Sequence, residues 1–267
     1  MTNWIVPEGA TVNLSELPTA SKQGAPGDKQ ATKGALAEMT RKISSYQERL
    51  WAEQKQSLLV VIQAMDTGGK DGTIRAVFSG VNPQGVRVTS FKAPTSNELG
   101  HDFLWRVHKV TPAIGEIGVF NRSHFEDVLV VRVKNLVPER VWRQRYALIN
   151  NFDKQLVHGS TTVIKFFLHM SKDEQAKRLQ ARLDDPTKHW KFNPGDLKER
   201  ERWDDYQQAY QEAIENTSTE LAPWYVIPSD RKWYRNWAVG RVIAETLERM
   251  DPQYPEAEDI DPNLEIV

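Results

Sequence analysis

No cysteine occurs in the 267-residue sequence, which excludes disulfides, thiolate metal sites and cysteine nucleophiles. Neither sign of charge dominates. The 35 Lys and Arg residues face 36 Asp and Glu, a balance that argues against a general nucleic-acid coat or a membrane-surface protein. Any anion site must therefore be a local cluster of basic residues. Long apolar runs are missing as well, and none approaches the ~20 residues that span a bilayer. The start, MTNWIVPEGA, lacks a basic region followed by an apolar one and does not read as a secretory signal. The expectation is a cytoplasmic protein with no membrane and no nucleic-acid partner.

What is present alternates between two kinds of segment. SLLVVIQ (57–63) is a short, almost continuous apolar run, as expected of a strand buried on both faces of a parallel sheet. Similar runs lie at 86–91, 116–120, 161–168 and 224–227, and the stretches between them are mostly helical in pattern. Strands alternating with helices predict a doubly wound α/β sheet. In the helix expected from Asp28 to Gln56, Leu36, Met39, Ile43, Tyr46 and Leu50 recur at three- and four-residue steps. A second long helix is expected over 137–158, and Ser171 to Glu174 reads as a capping box opening a third, which Pro186 ends. Residues 196–216 read as one polar helix and 232–250 as the last. The domain reading is an extended arm over 1–27, one α/β domain over 28–250, and an acidic tail over 251–267.

The loop AMDTGGKDGT (64–73) follows the first buried strand and opens a helix. That position lies at the carboxyl edge of the sheet, where ligands of open α/β sheets bind. Gly68 and Gly69 allow a tight turn that presents N–H groups to an anion, and the helix beginning near Asp71, with Gly72 and Thr73, adds its positive end. Lys70 supplies a mobile charge for a phosphate being transferred. The pattern departs from the usual GxxxxGK[ST], because Ala64 replaces the first glycine and Asp71 the hydroxyl residue. Asp66, a carboxylate beside phosphates, reads as a magnesium ligand or a base. A Gly-rich turn capping a structural helix is the plainer alternative.

A second edge follows at Asn121-Arg122-Ser123-His124-Phe125-Glu126. Asn121 stands where phosphate-loop enzymes hold their metal, Arg122 could clamp phosphate oxygens, and Glu126 lies one helical turn on. Glu126 could bind metal, orient a nucleophile or simply pair with Arg122. A third cluster, about 178–202, contains Arg178, Arg182, Lys188, His189 and Lys191 around the Asp184-Asp185-Pro186 break. Helix, loop and helix with basic residues on the loop is the layout of a lid closing on a polyanion, or of a solvated hairpin whose charges pair among themselves. Trp233, Tyr234 and Trp237 could help an oligomer pack.

Taken together, AMDTGGKDGTI (64–74), GVNPQGVRV (80–88), HDFLWRVHK (101–109), VFNRSHFEDVL (119–129), KFFLHMSKDEQ (165–175), RLDDPTKHWKF (182–192) and APWYVIPSDRKWYRNW (222–237) resemble the family-2 polyphosphate kinases. The resemblance implies a three-layer α/β sandwich of the thymidylate-kinase type with a helical lid. It also implies magnesium-dependent phosphoryl transfer between inorganic polyphosphate and adenine or other nucleotides, with manganese a substitute, in a homodimer or homotetramer. Asp66 and Lys70 fall on the family's loop positions, Asn121 and Arg122 on the end of its second conserved strand, and Arg182 on a lid arginine. Asn121 and Glu126, where many members have Asp and Asn respectively, resemble the subgroup that phosphorylates both AMP and ADP. An ATP-dependent nucleoside monophosphate kinase and a non-catalytic polyphosphate-binding module remain as alternatives.

Overall fold

A computed structural model describes residues 4–256. All seven residues of β2 (Ser57–Gln63) are buried, which makes it the centre of the sheet. Its neighbours are β4 (Ile117–Asn121) and β5 (Thr161–His169), both parallel to it. β3 (Val86–Ser90) lies outside β4, and β6 (Trp224–Pro228) outside β5, again parallel. The order of the six strands is β1-β6-β5-β2-β4-β3. The first of them, β1 (Ile5–Val6), comes from the N-terminal arm and pairs antiparallel with β6. The arm is thus a sixth strand's source, with Trp4, Val6, Val12 and Leu14 buried; burying that apolar surface holds it down. The fold is the expected mostly parallel α/β sheet with helices on both faces.

The helices are α1 (Lys29–Glu53), α2 (Lys70–Val77), α3 (Ser96–Leu99), α4 (Trp105–His108), α5 (Val130–Val133), α6 (Glu139–His158), α7 (Lys172–Leu183), α8 (Gly195–Glu201), α9 (Trp203–Thr217) and α10 (Lys232–Met250). Side chains alternate along β2. Leu58, Val60 and Ile62 meet α1, α2 and α10 on one face, while Leu59 and Val61 meet a core built from α5, α6 and α9 on the other. In α1, Asp28 accepts from the N–H groups of Gln30 and Ala31, and Ile43 and Leu50 bury the expected stripe. The reading of 196–216 as one helix needs correction, because the chain turns at Arg202 between α8 and α9. Tyr234 and Trp237 also differ from expectation. Both are buried, and both rings pack against Trp4, so they close the core and are not free to form an oligomer contact. Of the acidic tail, residues 257–267 lie outside the described residues. Among the described residues no helix is long and apolar enough to cross a membrane.

Register places the chemistry. Ile62, near the end of β2, pairs with Asn121, the last residue of β4, and with Phe166 of β5. The loops that leave β2 and β4 therefore open side by side at the carboxyl edge of the sheet, the position at which such sheets bind ligands.

Candidate active site

The loop after β2 turns tightly. Gly68 N–H donates to the Met65 carbonyl at 2.9 Å, Thr67 takes φ +62°, and Gly69 takes φ +100° immediately before α2. Gly69 is required twice: its φ suits glycine, and a Cβ there would overlap the Arg235 guanidinium. Lys70 is not the mobile charge expected. Its side chain is 9 % exposed, and Nζ reaches back to the Ala64 carbonyl at 3.0 Å. Burial, and then the neighbouring Arg122, lowers its pKa to about 8. Thr73 is also turned away from any phosphate, because its hydroxyl donates to the Gly69 carbonyl at 3.1 Å and so braces the first turn of α2.

Arg122 follows β4 with φ +60°, an unusual conformation for a non-glycine residue that turns its side chain back over the loop. Its guanidinium donates to Asp66 Oδ1 and, at 3.3 Å, to Glu126 Oε2. Burial opposes the Arg122 charge, but Glu126 and Asp66 outweigh it and raise the pKa. Glu126 sits behind Arg122 and does not line the cleft; with the buried Gln63 carboxamide turned so that its oxygen accepts from Ser123, its nitrogen donates to Glu126 Oε1 at 3.1 Å. Asn121 Nδ2 donates to Asp71 Oδ1 at 2.6 Å, joining the ends of β4 and the loop. Gln175, on α7, ties the Asp66 carbonyl to the lid at 3.0 Å.

The segment expected to act as a lid has the expected helix, loop and helix form, with α7, a 3₁₀ turn over Pro186–Lys191 and α8. Ser171 caps α7 by accepting from Glu174 N–H at 3.1 Å, but Glu174 turns to Arg178 and does not close the capping box. Arg178 lines the cleft as expected, but it is not a mobile lid charge. It is 8 % exposed, and its donors reach Glu174 and the carbonyls of Thr67, Gly68, Ser229 and Asp230, so it clamps the loop to the start of α10. His189 needs correction: Nε2 lies 2.8 Å from the Leu183 carbonyl, and the ring does not line the cleft. Arg182 does face the cleft, held by the Lys191 carbonyl at 3.1 Å and by Asp196 at 3.6 Å. Lys188 and Lys191 face it too, Lys188 paired with Asp185 at 2.6 Å.

Loop, β4 edge and lid enclose a cleft of about 750 Å³. Its walls carry ten basic side chains (Lys70, Arg75, Arg122, Lys177, Arg178, Arg182, Lys188, Lys191, Lys232 and Arg235) against four acidic ones (Asp66, Asp71, Glu174 and Asp196). A chain of near-zero net charge has concentrated its cations here, which suits a polyanion.

A family model described as polyphosphate kinase 2 matches residues 27–255. The chain belongs to the polyphosphate kinase 2 family. An AMP/ADP-polyphosphate phosphotransferase of Meiothermus ruber is 60 % identical over 232 residues, covering 87 % of each chain. An ADP-polyphosphate phosphotransferase of Rhodopseudomonas palustris is 44 % identical, over 94 % of this chain and 91 % of the relative. The crystal structure of polyphosphate kinase 2 from Arthrobacter aurescens TC1 superposes with a TM-score of 0.93 at 45 % identity, over 97 % of this chain and 92 % of that one.

In this family member no group of three or more His, Asp or Glu residues among the described ones could cage a metal ion. The donor set nevertheless suits a hard cation shared with substrate. Asp66 lines the cleft with one carboxylate oxygen on Arg122 and none of its hydrogen bonds on the other. Magnesium is commonly held by one or two carboxylates together with phosphate oxygens.

Arg235, Lys232, Lys177, Arg75 and Asp196 line the same cleft and were not singled out in the sequence as site residues. Arg235 and Lys232 lie in the APWYVIPSDRKWYRNW stretch that carries the family resemblance, and the basic segment RKWYR within it is the signal that could have found them.

Proposed function

We propose that the protein is a polyphosphate:nucleotide phosphotransferase that moves a terminal phosphoryl group between inorganic polyphosphate and AMP or ADP. The observation that carries this reading is the cleft itself. Ten cations surround a phosphate loop bearing Asp66, in a chain 60 % identical to an AMP/ADP-polyphosphate phosphotransferase over 87 % of both lengths.

In the direction of nucleotide synthesis, an oxygen of the nucleotide's terminal phosphate forms a bond to the terminal phosphorus of the polymer. The bridging P–O bond breaks, and its electron pair leaves on a polyphosphate one unit shorter. Little covalent work falls to the protein, so positioning and charge carry the catalysis. Arg122 is aimed by Asp66 and Glu126 and offers its remaining donor capacity to the phosphate oxygens. The N–H groups at the start of α2 and the Lys70 ammonium hold the charge near the loop. Arg182, Lys188 and Lys191 close over the chain from the lid and help to exclude water, which would otherwise compete as acceptor. When bound, magnesium, or manganese in its place, would be held by Asp66 with Asn121 beside it and would neutralise phosphate oxygens.

The same reading includes a cytoplasmic setting, supported by the lack of cysteine and of long apolar runs, and a homodimer or homotetramer, supported by the family resemblance. The test is incubation of AMP with long-chain polyphosphate and magnesium in the absence of ATP. Appearance of ADP and then ATP supports the reading; AMP phosphorylation only when ATP is added would identify an ATP-dependent nucleoside monophosphate kinase.

A further inference from the structure

Arg235 lies in the first turn of α10, is 2 % exposed, and lines the cleft. A buried guanidinium is ordinarily paired with a carboxylate, yet none of the ion pairs among the described residues includes Arg235. Nε and Nη2 donate to the Asn236 side-chain oxygen at 3.1 and 2.8 Å, and Nη1 donates to the Gly68 carbonyl at 3.2 Å. These bonds fix the orientation of the fork without neutralising it, and they leave one N–H on each terminal nitrogen unused. Burial, and then the nearby Arg178, lowers the pKa of Arg235 to about 9. The same surroundings lower that of Lys232, through burial and then Arg178 and Arg235.

The cleft therefore has two unlike ends. Around Arg122 the cations are balanced by Asp66 and Glu126. Around Arg235 the charged neighbours are Arg178, Lys232 and Glu174, and Glu174 is already bonded to Arg178. An uncompensated, aimed and buried cation calls for an anion that arrives with the ligand. The candidates are the non-reacting phosphates of the polymer and the phosphate of the nucleotide. A nucleotide carries a base and a ribose that need apolar and neutral polar contacts, and the Arg235 end offers charge.

We infer that Arg235, oriented by Asn236, is a binding residue for the polyphosphate chain and takes one of its phosphates through the two unused N–H groups. The inference rests on the proposed polyphosphate activity. Asn236 supplies the decisive variant. Asn236→Asp keeps the shape and the acceptor oxygen, so a purely structural brace would be preserved. It also puts a carboxylate on the guanidinium and cancels the charge offered to the ligand.

The experiment measures steady-state kinetics with polyphosphate and with ADP varied in turn, and calorimetric binding of tripolyphosphate, for wild type, Asn236→Asp and Arg235→Lys. The expected result is a rise of about tenfold in KM for polyphosphate and in Kd for tripolyphosphate with Asn236→Asp. KM for ADP should be unchanged. Arg235→Lys, which keeps charge but loses the fork, should fall between wild type and Asn236→Asp. If wild type shows no polyphosphate-dependent activity, the functional reading itself fails. If wild type is active and Asn236→Asp leaves both polyphosphate constants unchanged, or raises KM for ADP instead, this assignment of Arg235 is overturned.

Discussion

Arg122 donates directly to the carboxylate of Asp66, joining the end of β4 to the loop that leaves β2. The acid that makes the loop sequence unusual is thus the group that aims the arginine at the adjoining strand edge. Each variant should then cost turnover more than it costs the fold. Asp66→Asn and Arg122→Ala are expected to lower kcat by about 10²–10³-fold, the usual loss when one preorganised charge is removed from a transition state. Both side chains are partly exposed, at 24 % and 33 %, so the urea midpoint should move little. Near-wild-type turnover in both variants would contradict their placement in the reacting centre.

Lys70 gives a pH dependence with opposite signs for activity and stability. Burial lowers its pKa from 10.5 to about 8. Activity that needs the ammonium is full below that value and is lost as pH rises through it. Bound polyphosphate favours the charged form, so the limb in kcat should lie above the limb in kcat/KM. For stability, the unfolded chain holds this proton up to 10.5. Between the two values it binds more protons than the folded chain, and this residue makes stability rise with pH. The check is kcat/KM for polyphosphate against pH, together with the urea midpoint of wild type minus that of Lys70→Met. A difference that falls across that window would contradict the assignment.

Far from the cleft, Lys165 and Asp153 form a wholly buried ion pair, 0 % and 2 % exposed. Lys165 Nζ also donates to the Thr217 carbonyl at 2.7 Å. Burial raises the Asp153 pKa and lowers that of Lys165, and each partner opposes the shift in the other. Lys165→Met strands a carboxylate in the core and should cost about 3–5 kcal/mol of stability. Lys165→Met with Asp153→Leu should recover most of that loss. Urea unfolding of wild type, single and double variants decides it, and an equal loss in both variants would show that packing, not charge, governs the site.

A part in acceptor choice is the proposal for Asn121 and Glu126. Asn121 donates to Asp71, so Asn121→Asp would set two carboxylates against each other at the edge of the cleft. Glu126→Gln would weaken the support behind Arg122. Each change should shift the ratio of kcat/KM for AMP to that for ADP by several-fold, on the order of 1 kcal/mol. An unchanged ratio in both variants would remove these residues from the account of specificity.

Local patterns in the sequence carried the strands and much of the site. The apolar run at 57–63 became β2 without a change of boundary, because a strand buried on both faces leaves little room for polar residues. Asp66, Arg122 and Arg182 reached the cleft because each sits next to a strand end or on the lid helix. What was not legible depends on distant backbone. Arg178 reads as a lid charge until the carbonyls of residues 67, 68, 229 and 230 are seen converging on it. Arg235 lies 167 residues from the glycine carbonyl it holds, and no local periodicity encodes that meeting. Glu126, expected as a metal or phosphate ligand, instead pairs with Arg122 and does not line the cleft, because the positive φ of Arg122 turns the guanidinium between that carboxylate and the loop.

In the proposed reaction the cleft around Asp66 takes its phosphoryl group from polyphosphate. The most direct measurement is the initial rate of ADP formation from AMP and magnesium with long-chain polyphosphate as sole donor, compared with the rate when ATP is sole donor. The expected result is rapid ADP formation with polyphosphate, followed by ATP, and loss of the signal in Asp66→Asn. No ADP with polyphosphate, alongside rapid AMP phosphorylation with ATP, would contradict it.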